Sequence, residues 1–391
     1  MIEISKWKFN SNSPVMFMID DIANVSIKNK INTDLQIGED WGQYGTDENS
    51  MWDFLNKNLY ILYPHIKTTF FLVTDKRSPQ TSTTKYSYSE AIDKDEKFIN
   101  FLNLLHNNKN IELAYHGTTH GIAELTNLKQ EWNTYKSLDH AIETIEYGKE
   151  LYKKVLGKYP LGGKYCGYEK GNYGDSSINK TNFLWWCRDW DAELESNKNK
   201  NDLSYELEYF NNTIDIPSNV DGSFLSIYKP QFSKKYLRTV YKYFKKNTLE
   251  KQIDALYNAK QIISIQEHSS PYRTDGKIQY PNIVSDIKNL QYIFKLLNKL
   301  DVWYATGTEI AEYFEIFKNI VIKENPKGFK FLNNSEKIIK KGTIVTIIFH
   351  QTSKIKVEVE NKIYNSYEKN NIQLVNIPVY TNILYKVFKN E

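Results

Sequence analysis

The chain has 391 residues, with 51 basic and 47 acidic side chains and a net charge of +4. Its length suits one large domain plus a small one, and 40% hydrophobic with 25% charged residues is the composition of a globular protein, not a disordered or fibrous one. With charges so nearly balanced and no basic stripe, nucleic acid has no electrostatic footing, and no run reaches the ~18 apolar residues of a membrane span.

Short apolar runs alternate with amphipathic stretches as far as about residue 315. "VMFMI" (15–19), "TTFFLV" (68–73), "IELAY" (111–115), "FLWW" (183–186), "IISI" (262–265) and "VWYA" (302–305) read as buried strands. Between them, 89–108, 137–157, 247–260 and 281–300 read as helices. The clearest has Ser137 as N-cap, apolar residues at helical spacing from Leu138 to Val155, Lys153 and Lys154 in the last turn, and Gly157 as C-cap. Repeated strand–helix alternation predicts an α/β fold with a parallel sheet, open or closed into a barrel. After about residue 318 the texture changes. "NIVIK", "GFKFL", "TIVTIIF", "KIKVEVE", "IQLVNI" and "ILYKVF" are short, often alternating, and separated by Asn, Gly, Lys and Ser. A small all-β, sandwich-like domain at 318–391 is therefore expected after a barrel domain at 1–317.

Polar residues of one chemical kind stand at the ends of four of these strands. Asp20 and Asp21 close the first, and His116 and His120 follow the third in "HGTTH". Asp189 and Asp191 stand beside Arg188 and Trp190 after "FLWWC", and His268 ends "IISIQEH". Taken singly, each has an ordinary explanation: a helix cap, a surface turn, an internal ion pair. Together they occupy the place where a barrel enzyme keeps its catalytic groups. Adjacent carboxylates repel each other, and a cation between them offsets the repulsion. Two imidazoles on one turn can share a metal, commonly zinc, given at least one more ligand.

In this order and spacing the chain resembles the polysaccharide deacetylases, the NodB-homology family of carbohydrate esterases, over roughly residues 15–315. "MFMIDDI" matches the family's paired-Asp motif, with Ile22 in place of the usual Gly. "HGTTH" keeps the spacing of its histidine motif, with Gly117 where Ser or Thr is usual. "GGKYCGY" resembles its Arg–Pro motif loosely, with Lys164 for the arginine and Cys166 for the proline. Asp189–Trp190 and "IISIQEH" meet the last two motifs, and "DVWYATGTEIAEYF" resembles the closing strand and helix.

The resemblance implies a distorted (β/α) barrel of the polysaccharide-deacetylase type. It would bind one divalent metal, usually Zn2+, through Asp21, His116 and His120. Metal-bound water would be the nucleophile and Asp20 its general base. His268 would protonate the leaving amine, oriented by Asp189, with Asp191 as the competing candidate. Lys164 would hold Asp20, as a point charge without the bidentate fork of arginine. A backbone N–H near Tyr165 would face the oxyanion, and Tyr165, Tyr168 and Trp190 would lie along the substrate. The implied reaction is removal of N-acetyl groups from a sugar of a polysaccharide or glycan precursor, so the expected partner is an N-acetylated carbohydrate. Two alternatives stay open: a catalytically silent glycan-binding protein, and a related barrel metal hydrolase acting on another C–N or a glycosidic bond. The 29 Tyr, 19 Phe and 8 Trp suit sugar binding, although AT-rich codon usage produces the same excess. Two cysteines, Cys166 and Cys187, are too few for a disulfide scaffold. With no signal-like apolar core in "MIEISKWKFNSNSP", the expectation is a cytoplasmic protein with free thiols. Oligomeric state is not readable from the sequence.

Overall fold

Ile111–Tyr115 forms a strand where its apolar run stands, Thr68–Leu72 and Ile263–His268 do so to within a few residues, and "VMFMI" lies inside the longer strand Ser13–Ile22. The structure, a computed structural model, describes residues 2–27, 48, 50–76, 86–123, 128–188, 206–225, 235–269, 281–335 and 339–389. Its contacts divide the chain into two compact units: Val15–Leu300 with Tyr304–Thr308, and Met1–Pro14 with Asp301–Trp303 and Glu309–Glu391.

In the first unit, Ser13–Ile22 runs parallel to Thr68–Leu72 on one side and to Ile263–His268 on the other. Beyond Thr68–Leu72 follow Ile111–Tyr115, Gly162–Lys164, Trp185–Cys187 and Thr213–Asp215, all parallel, with Glu208–Phe210 antiparallel at that edge. Val220–Asp221 lies parallel to Ile263–His268 at the opposite edge. The sheet curls into a distorted (β/α) half-barrel. Val15, Met16, Phe17, Met18 and Ile19 are all buried, as in a parallel strand covered on both faces. Parallel strands end together, so Asp20, Tyr115, Lys164, Cys187 and His268 gather along one rim.

The strand Gly162–Lys164 has no apolar pattern and is not readable as one. Gly162 and Gly163 lie directly under the rings of Trp185 and Trp186, where an added Cβ would collide with the indoles. Small residues thus let this strand pass beneath two large ones. The helix Leu138–Leu156 has the expected caps: Ser137 Oγ accepts from the His140 N–H at 3.1 Å, and Gly157, at φ +75°, donates its N–H to Lys153 O at 2.8 Å. The expected helix at 89–108 begins only at Glu96, because Asp95 caps it, and Ser89 ends a strand, Tyr86–Ser89, paired with Val25–Ile27. The helices Lys235–Asn258 and Ile283–Leu297 cover the other two expected segments, the second capped by Asn282. No described helix is long and apolar enough to cross a membrane.

All six expected strands of the second unit are present, in two antiparallel sheets. Ile344–Phe349, Ile372–Pro378 and Tyr367–Lys369 form one, completed at its edge by Ile2–Ile4 from the start of the chain. Ile320–Asn325, Gly328–Asn333, Leu384–Lys389, Ile355–Val359 and Lys362–Asn365 form the other. Phe329 stacks on Tyr385 at 5.0 Å within its sheet and meets Phe349 of the other at 6.2 Å, edge to face.

Candidate active site

In a regular strand the consecutive side chains of Asp20 and Asp21 would face opposite sides of the sheet. Here pairing with Thr68–Leu72 passes from Ile19↔Phe70 to Ile22↔Leu72, which leaves one extra residue in the Ser13–Ile22 strand. Asp21 takes φ +71°, a left-handed conformation that Asp tolerates better than most residues. This bulge lets both carboxylates face His116. Asp21 Oδ1 lies 3.0 Å from His120 Nε2 and 3.6 Å from His116 Nε2. Asp20 Oδ2 lies 4.0 Å from His116 Nε2 and 4.0 Å from Nε2 of His268, its register partner on the neighbouring strand.

"HGTTH" forms a loop and not a helix turn. His116 N–H extends the ladder by donating to Leu72 O at 2.8 Å, and His120 sits at φ +65°. The His116 Nδ1 is 3.2 Å from the carbonyl oxygen of Lys164, which can only accept, so Nδ1 carries the proton and Nε2 the lone pair. Burial holds this imidazole down to about 4, against the pull of Asp20 and Asp21, so it is neutral at pH 7. A lone pair on Nε2 then faces carboxylate oxygens. Acceptors facing acceptors are stabilised by a cation between them. Among the described residues, Asp20 Oδ1 and His120 Nδ1 are also buried without a hydrogen-bond partner. These donors fit a divalent metal of the kind that takes mixed N and O ligands. His116, His120 and Cys166 form a second possible set, with donor atoms within 4.8 Å of one another. Asp21 suits the third position better than Cys166. Its Oδ1 meets both Nε2 atoms, whereas the Cys166 thiol donates to His116 O at 3.1 Å.

Lys164 and Gln266 hold Asp20. Lys164 Nζ, fully buried, is 2.6 Å from Asp20 Oδ2, and Gln266 Nε2 donates to the same oxygen at 2.9 Å. Gln266 Oε1 accepts in turn from Lys164 and from the Tyr168 hydroxyl. The ammonium also lies over the Tyr168 ring at 4.3 Å and the Phe71 ring at 5.4 Å. Burial alone would raise the Asp20 carboxyl, but Lys164, His116, His268 and the Gln266 hydrogen bond together bring it below the usual range. Asp20 is therefore ionised at neutral pH. His268 Nδ1 is 2.8 Å from the Pro281 carbonyl, which fixes its ring and leaves Nε2 toward Asp20.

Asp20, Asp21, His116, His120, Lys164 and His268 thus lie together. Asp189, Asp191 and Trp190 lie outside the described residues. The Tyr165 side chain, expected along the substrate, is fully buried against Trp132 at 5.0 Å and Trp186 at 5.3 Å, with its hydroxyl donated to Asp175 at 2.9 Å. That aromatic cluster needs the ring as core, so only the Tyr165 backbone remains for a site role. The Tyr168 ring, half-buried, covers Lys164. Arg188 pairs with Asp175 at 2.6 Å and Asp215 at 3.2 Å. Cys166 and Cys187 are both buried and are not joined in a disulfide. Two residues of the arrangement escaped the sequence reading. Gln266 could have been found, since it shares a strand face with His268 by period-two alternation. Glu131, whose carboxylate accepts the Thr118, Thr119 and His120 N–H groups, carries no motif at all.

Behind the rim, the Glu267 carboxylate is fully buried. Burial, then Asp286 and Asp221, push its pKa well above the carboxylate range, against the opposing pull of the His268 backbone N–H. Its folded-state value is raised, so the stability linked to it is fully present below the unfolded value near 4.5 and is lost as pH rises. Glu267→Gln removes the ionisation and is expected to stabilise the protein increasingly above pH 4.5, by at most about 1.4 kcal/mol per pH unit, with no gain below it. Urea unfolding of both proteins at pH 4 and pH 8 checks this; a gain independent of pH would contradict it.

Fold and site together define a class: a (β/α) half-barrel with carboxylates and imidazoles converging at the carboxyl ends of its parallel strands. No family model matches the chain, and no curated protein matches it. Among solved structures it is similar to a protein from Mycobacterium smegmatis described as a polysaccharide deacetylase, at 15% identity and a TM-score of 0.45, covering 80% of this chain and 93% of that one. It is likewise similar to Puue allantoinase, at 14% identity and 0.48, covering 81% and 94%. A family 4 acetyl xylan esterase from Clostridium thermocellum, solved with a cobalt ion, matches at 12% identity and 0.35, covering 76% and 90%.

Proposed function

We propose that the chain is a metal-dependent hydrolase that removes N-acetyl groups from a sugar of a polysaccharide or glycan precursor. The observation that carries this reading is the meeting of Asp21 Oδ1 with Nε2 of His116 and of His120, beside an Asp20 held ionised by Lys164. Asp21, His116 and His120 would hold the cation. When bound, it supplies Lewis-acid polarisation of the acyl oxygen and acidification of water.

The remaining chemistry belongs to the chain. Asp20 is ionised, and its Oδ1 is not engaged by a hydrogen bond from any described residue, so this oxygen accepts the proton of the attacking water. Oδ2 is occupied by Lys164 and Gln266, which aim the carboxylate. His268 presents Nε2 across the site from Asp20, with Nδ1–H fixed on Pro281 O, and protonates the departing sugar amine through Nε2. His116 stays neutral and so takes no part in proton transfer.

Protein purified without chelator is expected to carry about one zinc per chain and to release acetate from N-acetylated oligosaccharides. Dialysis against chelator should remove both, and zinc should restore both. Metal-free protein releasing acetate at the same rate would exclude the reading. Saturable oligosaccharide binding with no acetate released over days would instead assign a silent glycan-binding role.

A further inference from the structure

We propose that Glu131 is the positioning residue of the imidazole pair, an inference that rests on the metal-site reading above. The loop from His116 to Gly121 makes no helix and no sheet across its centre, and Gly117, His120 and Gly121 all have positive φ, at +84°, +65° and +123°. Three consecutive N–H groups, of Thr118, Thr119 and His120, consequently point to one spot, as in an anion-binding nest. The occupant of that nest is the carboxylate of Glu131. Oε1 accepts from Thr118 N at 2.9 Å, and Oε2 accepts from Thr119 N at 2.6 Å and His120 N at 2.8 Å. Tyr135 Oη donates to Oε1 at 2.6 Å, and Thr119 Oγ1 reaches Oε2 at 3.3 Å.

Glu131 is 1% exposed, and these donors offset the cost of burying its charge. A left-handed His120 is an unfavourable backbone state that only its surroundings can impose, and the carboxylate grips the N–H of that very residue. Gly117 answers to the same group: a Cβ there would lie 2.6 Å from Glu131 Oε2 and 3.1 Å from Cys166 Sγ. The glycine between the two histidines is the space the carboxylate occupies. Glu131 directly follows Leu128–Gln130, the strand paired antiparallel with Gly121–Ala123, so that pairing is tied to the aim of His120.

The test is the zinc affinity of folded Glu131→Gln, measured by competition with a chromophoric chelator, alongside circular dichroism and thermal unfolding. An amide places donors against N–H groups in either orientation, so the nest loses its occupant. Zinc affinity is expected to fall roughly 10–100-fold, the range typical of lost outer-shell support for metal ligands. Glu112→Gln is the control. Glu112 begins the same strand region at the opposite end, where its carboxylate accepts from Thr308 N at 3.0 Å. This change should lower stability and leave zinc affinity unaltered. If Glu131→Gln does not fold, Tyr135→Phe, which removes one donor to Oε1, should weaken zinc severalfold. Unchanged affinity in whichever Glu131-site variant folds overturns the proposal while the metal site stands. A wild-type chain that binds no zinc overturns both.

Discussion

His116→Ala is expected to abolish bound zinc and to lower acetate release by at least about a thousandfold. The magnitude follows from the several kcal/mol that a metal contributes to such a transition state, at about 1.4 kcal/mol per factor of ten. The position is unusually well prepared. Its Nδ1–H is committed to Lys164 O, its Nε2 is the one nitrogen left toward Asp21, and burial keeps the ring neutral. The ring also packs edge-on against Phe71 at 5.9 Å, so the variant leaves a cavity and some stability is lost with it. Metal analysis after dialysis, on protein shown to be folded, separates the two effects. A folded His116→Ala chain with one zinc and wild-type turnover would end the assignment of His116 as a metal ligand.

Lys164→Met should be the most destabilising single change at the rim, by about 3–5 kcal/mol, because it leaves the buried Asp20 carboxylate without its cation. The sign of the accompanying pH effect follows from the same pair. Asp20 is depressed, so its stabilising interactions are present above its unfolded value and lost on acidification through the folded one. Without Lys164, burial is opposed only by His116, His268 and Gln266, so the Asp20 carboxyl should rise and the acidic limb of the activity profile should move to higher pH. Adding Asp20→Asn to Lys164→Met removes the stranded charge. The double variant should regain most of the stability and none of the activity. Urea unfolding of the four proteins in the cycle measures the coupling; additive losses would mean that the 2.6 Å pair does not carry the energy assigned to it.

Much of the barrel was legible because its strands are continuous apolar runs and its best helix carries both caps, Ser137 and Gly157. The acidic and imidazole groups were legible because they stand at or just beyond the ends of such runs. Gly162–Lys164 was not, since its strand identity comes from Trp185 and Trp186 overhead and not from its own residues. The core placement of the Tyr165 ring, expected along the substrate, was not legible for a related reason: whether a ring after a strand faces the cleft or the core depends on neighbours such as Trp132, far away in sequence. Ile2–Ile4 joined the β unit through Ile344–Phe349, a pairing no local pattern announces.

Local chemistry therefore sufficed to say which side chains could act: paired carboxylates, an H-x3-H loop and a strand-end histidine, all at the ends of parallel strands. Their aim was decided by folding. One extra residue opposite Phe70–Leu72 turns Asp20 and Asp21 the same way, Glu131 holds the turn bearing His120, and Lys164 with Gln266 fixes Asp20. Each of these contacts joins positions distant in the chain, and a side chain's direction is set by register and hydrogen-bond partners that adjacent residues do not encode.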